Sequence, residues 1–124
     1  ERLLAQPRRG ALWAGSGSLK HMSQEAAWKA LMECRERIDV LDRQILELLN
    51  ARTRIVEQIG RIKQDLDLPI YEPRREDEVF ANVTEHNHGP LTGEGVRRVF
   101  ERIIDEMRNV QRLRMLEREE TKSG

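Results

Sequence analysis

The sequence predicts an all-α fold of three helices in long, short, long order. Three observations carry this. Apolar residues recur at spacings of three, four and seven along a proline-free stretch from Gln24 to Gln64. Prolines and an Asn-His-Gly-Pro cluster divide the rest of the chain. No segment alternates apolar and polar residues long enough for a strand, and no hairpin turn joins two β-rich runs.

The first helix is expected over roughly residues 24 to 65. Its stripe is Ile38, Leu41, Ile45, Leu48, Ile55, Ile59 and Ile62, with Gly60 the single glycine inside it. Pro69 disfavours helix in the residue before it, so the helix should end near Asp65 to Asp67. Pro73 suits the first turn of a second, shorter helix that runs to about Glu85 and stops at Asn87-His88-Gly89-Pro90. Thr92 is the N-cap expected for a third helix, whose apolar face is Val96, Val99, Phe100, Ile103, Ile104, Met107 and Val110. The run from Arg112 to Lys122 reads as a solvated, fraying helix end, and residues 119–124 as a disordered tail. Residues 1–21, with Gly15 to Ser18 resembling a linker, read as a flexible N-terminal extension or tag, which leaves 22–118 as the folded domain.

A chain of 124 residues, 38% hydrophobic and 4% aromatic, has a thin supply of core. A helix of about forty residues is ~60 Å long, more than the rest of the chain can cover, so a second copy is the natural cover. Lys plus Arg equal Asp plus Glu at 22 each, so no whole-protein field gathers nucleic acid or an anionic membrane. No apolar run reaches the ~18 residues that span a bilayer. The single Cys34 forms no internal disulfide and suggests the cytoplasm. Cys34 has no base beside it, and His86 and His88 have no further Cys or His nearby, so neither a thiol nucleophile nor a metal is expected.

Arg35, Arg52 and Lys63 interrupt or flank the first helix's stripe. A cation there is either matched by an acid or reserved for an anionic ligand, because leaving it unpaired costs several kcal/mol. Arg52 and Lys63 are close to three turns apart, on one face and about 16 Å apart, so their side chains can converge on one small molecule. Arg35 lies about 25 Å from Arg52, too far to serve the same ligand in the same chain, though an antiparallel partner's copy of it could. Arg75 and Glu76 open the second helix with a carboxylate fork and an acceptor, and Gln111 sets an amide at the edge of the third helix's apolar face.

Residues 28 to 112 resemble the all-helical class of chorismate mutases. The resemblance is carried by Arg35-Glu-Arg-Ile-Asp-Val-Leu-Asp42, Leu48-Leu-Asn-Ala-Arg52, Ile59-Gly-Arg-Ile-Lys63, Pro69-Ile-Tyr-Glu-Pro-Arg-Arg-Glu76, and Phe100-Glu-Arg-Ile-Ile104 with Gln111. It implies an intertwined homodimeric helical bundle that converts chorismate to prephenate in phenylalanine and tyrosine biosynthesis without cofactor or metal. By position it implies Arg52 on one carboxylate and Arg35 of the second subunit on the other. Lys63 and Gln111 are implied to hold the ether oxygen, and Glu76 the ring hydroxyl with Arg75 nearby. Two positions depart from the commoner pattern: Met107 stands where relatives often have a serine that contacts a carboxylate, and Glu72 where aspartate is frequent.

The same fold also supports isochorismate-pyruvate lyases, but the segment from Tyr71 to Glu76 resembles mutases more. A non-catalytic dimerisation module is the reading from another class, and it needs none of these cations at fixed spacing. With no second catalytic or regulatory domain in the sequence, a monofunctional enzyme is expected, open to activation by a partner enzyme of the pathway.

Overall fold

A computed structural model describes residues 23–123, so the expected N-terminal extension at 1–21 lies outside the described residues. The described residues form three helices: α1 (Gln24–Asp65), α2 (Pro73–Glu85) and α3 (Gly93–Ser123). None of these is long and apolar enough to cross a membrane. The chain divides within α1 into two units, Glu1–Leu46 and Glu47–Gly124.

In the first unit α1 starts at a serine cap. The Ala26 N–H donates to Ser23 Oγ at 3.0 Å, and the Ala27 N–H to the Ser23 carbonyl at 2.9 Å. Trp28, Leu31, Ile38 and Ile45 are exposed, so the apolar stripe lies uncovered in this chain.

The second unit holds the rest of α1 with α2 and α3. Its buried apolar residues are Val56, Phe80, Val96, Ile104 and Met107, and no side chain in the described chain is completely enclosed. Ile55 and Ile62 are more than half exposed, as the thin composition leads one to expect. Three contacts seat α3 along α1. Arg114 Nε donates to Glu57 Oε2 at 2.7 Å, Arg118 lies 3.6 Å from Asp65, and Thr53 Oγ1 lies 3.6 Å from Met107 Sδ. A Cβ placed at Gly60 would meet Gln111 Cγ at 3.4 Å, so the missing side chain is what lets the α3 amide lie close against α1.

The end of α1 is closed by backbone geometry. Asp67 adopts a left-handed φ of 59°, the Leu68 N–H donates to the Lys63 carbonyl at 2.7 Å, and the Asp67 N–H to the Gln64 carbonyl at 3.2 Å. This pair of bonds is a Schellman closure, built with aspartate where glycine is commoner. Pro73 then occupies the first turn of α2. His86 caps the far end, its N–H and its ring Nδ1 both meeting the Asn82 carbonyl, the latter at 2.8 Å. Asn87 builds the next turn: its Nδ2 donates to the Leu91 carbonyl at 2.8 Å and its Oδ1 accepts from the Gly89 N–H at 3.1 Å. Thr92 caps α3 as expected, with Oγ1 accepting from the Gly95 N–H at 2.9 Å.

α3 continues through Ser123, past the point where a disordered tail was expected at residue 119. Arg114 pairs with Glu117 at 2.9 Å, and Thr121 Oγ1 donates to the Glu117 carbonyl at 3.0 Å. Side-chain pairs three and four residues apart support a helix where nothing breaks it.

Candidate functional site

The second unit holds an open-sided cavity of about 270 Å³ between the C-terminal half of α1, the first two turns of α2 and the inner face of α3. Its apolar wall is Ile55, Val56, Ile59, Ile70, Val79, Ile104 and Met107. Its polar lining is Arg52, Lys63, Glu72, Arg75, Glu76, Arg108 and Gln111. The structure thus brings together Arg52, Lys63, Glu72, Arg75, Glu76, Met107 and Gln111, all expected from sequence. Arg35 lies exposed on α1 in the first unit and is not among the lining residues.

Lys63 is 8% exposed and held from two sides. Its Nζ donates to the Ile70 carbonyl at 2.9 Å and lies 2.7 Å from Glu72 Oε1. An ammonium has three donors, so one remains for a ligand. Glu72 is the N-cap residue of α2, yet its carboxylate makes no capping hydrogen bond and goes to Lys63 instead.

Arg52 is half-buried and makes no hydrogen bond or ion pair among the described residues. Burial, and then the positive charge of Arg75, lower its pKa from the ordinary guanidinium value. Arginine still carries its proton at neutral pH, so this is a cation held at a cost with no acid to match it. Arg75 turns outward to Glu78 at 3.2 Å, a pair whose two side chains are 66% and 58% exposed, and such a pair contributes little.

Gln111 is 9% exposed, and its Oε1 is buried with no hydrogen-bond partner. This carbonyl oxygen can accept a further hydrogen bond, while the amide N–H groups remain the donors of the side chain. Met107 is both core and cavity wall. Sequence reasoning missed Arg108, whose Nε lies 3.0 Å from Glu76 Oε2 and whose guanidinium carbon lies 5.6 Å from the centre of the Tyr71 ring. The signal was present: Arg108 falls four residues after Ile104, on the flank of the face that Ile104 buries.

Among the lining residues four cations (Arg52, Lys63, Arg75, Arg108) meet two carboxylates (Glu72, Glu76), and Arg75 and Arg108 also pair with Glu78 and Asp105 beyond the lining, so Arg52 is the lining cation without an acid partner among the described residues. With an apolar wall opposite, the arrangement can take a small anion that carries an apolar body.

The chain is 37% identical over 78 residues to the bifunctional chorismate mutase/prephenate dehydratase of Aquifex aeolicus (strain VF5), covering 60% of this chain but only 22% of that protein. It is 29% identical over 86 residues to the chorismate mutase of Methanocaldococcus jannaschii, covering 66% of this chain and 84% of that one. Among solved structures, chorismate mutase (form II) from Thermus thermophilus superposes with a TM-score of 0.66 at 36% identity, over 67% of this chain and 94% of that one. The family model for chorismate mutase type II matches residues 34–112, more than half of the sequence, and the chain belongs to that family.

Proposed function

We propose that this chain converts chorismate to prephenate. The observation that carries the reading is Arg52: desolvated, repelled by Arg75 and without an acid partner, it is arranged for an anion that comes from outside the chain. Chorismate is a dicarboxylate, and a lining that holds four cations, with Arg52 left unpaired among the described residues, suits it.

The rearrangement is unimolecular and needs no nucleophile. What it requires is a folded enolpyruvyl side chain and stabilisation of the negative charge that grows on the ether oxygen. In this reading Arg52 and Arg75 hold a carboxylate, while the third N–H of Lys63 and the amide of Gln111 donate to the ether oxygen. Glu76 accepts from the ring hydroxyl, Glu72 keeps Lys63 in place, and Met107 packs against the ring. A 10⁶-fold acceleration corresponds to about 8 kcal/mol of preferential transition-state binding, within reach of several charge-assisted contacts in a dry pocket.

The catalyst is a homodimer in this reading. The exposed stripe of Leu31, Ile38 and Ile45 supports a second copy as its cover, and each fully buried isoleucine contributes about 1.5–3 kcal/mol. The second copy lends Arg35 to the site. Relatives that join the mutase to prephenate dehydratase on one chain support action beside an enzyme that consumes prephenate. The test is to incubate the purified protein separately with chorismate and isochorismate and identify the products by chromatography. Prephenate from chorismate is expected; a folded protein that yields none from chorismate, or only salicylate and pyruvate from isochorismate, overturns the reading.

A further inference from the structure

The cavity contains two carboxylates, and an acid beside an unpaired arginine ordinarily closes onto it. Here neither does. Glu72 is taken by Lys63 at 2.7 Å, and Glu76 lies 3.0 Å from Arg108 Nε. Glu76 is the more consequential of the two, because its side chain is only 19% exposed whereas that of Glu72 is 46% exposed. A carboxylate screened from water gains most from whichever cation it reaches.

Arg108 is itself fixed by three neighbours. Its Nη2 donates to Asp105 Oδ1 at 2.7 Å, its guanidinium faces the Tyr71 ring, and its Nε meets Glu76. The Nε contact is an ion pair that lies outside hydrogen-bond geometry, so the hold on Glu76 is by charge. Arg75 cannot take this place from the same helix, since adjacent residues do not face each other.

We infer that Arg108 is a positioning residue that sequesters Glu76, and so keeps Arg52 open to a carboxylate of an incoming dianion. Without it, Glu76 swings to Arg52 and becomes an internal competitor for the ligand's carboxylate. The inference rests on the proposed reading in that it takes the cavity's ligand to be a dianion.

The test is a double-mutant cycle on binding, read apart from turnover. Calorimetry with adipate, an unreactive dicarboxylate, measures affinity for wild type, Arg108→Met, Glu76→Gln and the double variant, and thermal melts confirm folding of each. Arg108→Met is expected to weaken adipate about tenfold, the scale of one charge-assisted hydrogen bond. In the Glu76→Gln background, where no competitor remains, the same change is expected to cost under about threefold. Arg108→Lys, which keeps the cation, should stay within about threefold of wild type and serves as the reference if the methionine variant does not fold. Equal losses in the two backgrounds place Arg108 directly on the ligand and overturn the inference, as does no loss in either. Failure to make prephenate with the adipate cycle intact counts against the mutase reading alone.

Discussion

Lys63→Met removes a buried ammonium and keeps most of its volume. Two contacts go with it: the Ile70 carbonyl loses its donor and Glu72 loses its cation. Glu72 is nearly half exposed and regains water cheaply, and the half-buried carbonyl forfeits one hydrogen bond, so the stability loss is about 1 kcal/mol. The catalytic loss is larger. One preorganised donor to a developing oxyanion contributes about 10²–10³ in kcat. The freed Glu72 carboxylate also repels a dianionic substrate, which raises KM several-fold. Adding Glu72→Gln separates the two effects: KM should recover while kcat stays low. Steady-state kinetics with chorismate, following prephenate, reads both parameters, and a melt confirms that each variant is folded. If kcat for Lys63→Met stays within about threefold of wild type, or recovers with Glu72→Gln, the ammonium does not act on the reacting oxygen.

Arg52→Met should abolish turnover while raising the melting temperature slightly, the cost of the charge being reduced by solvent because Arg52 is only half-buried. The sign follows from the lowered pKa: the folded state disfavours the charged form, so at neutral pH that charge costs stability; an unchanged or lower melting temperature refutes it. Asp67→Gly relieves a left-handed backbone position and should stabilise the fold by about 0.5–1 kcal/mol in a urea titration, with activity unchanged. Mixing inactive Arg35→Ala and Arg52→Ala chains should restore one working site per heterodimer, and no recovered activity after subunit exchange contradicts a shared site.

Much of this was legible because the strongest signals are local. Pro73 and the period of the isoleucine stripe set the bounds of α1 and α2, and Thr92 marked the start of α3. The cations on α1 were legible as anomalies, since a charge inside an apolar stripe needs a reason. What escaped was decided by tertiary contact. Asp67 does not carry the glycine that marks a left-handed helix end, so only the backbone reveals the closure. Glu72 looks like one more acidic residue before a helix until the fold brings Lys63 within 2.7 Å. Arg108, four residues after the buried Ile104, was legible as lying by the inner face of α3, but its pairing with Glu76 at 3.0 Å is made only by the packing of α2. The stretch from Arg112 to Lys122, read as a solvated helix end, is helical and largely exposed, with its charges paired along the helix.

The connection between α1 and α2 has a consequence for how the sequence can change over time. Loops ordinarily accept insertions freely, because little depends on their length. This one delivers a carbonyl from Ile70 and a carboxylate from Glu72 to a single ammonium, and it follows a helix end whose closing bond is made by the Lys63 carbonyl itself. One residue more or fewer moves both acceptors while Lys63 stays on its helix. Selection then acts on the number of residues between Lys63 and Glu72 more strictly than on most of their identities, so the segment serves as a ruler, and drift within it should be by substitution alone.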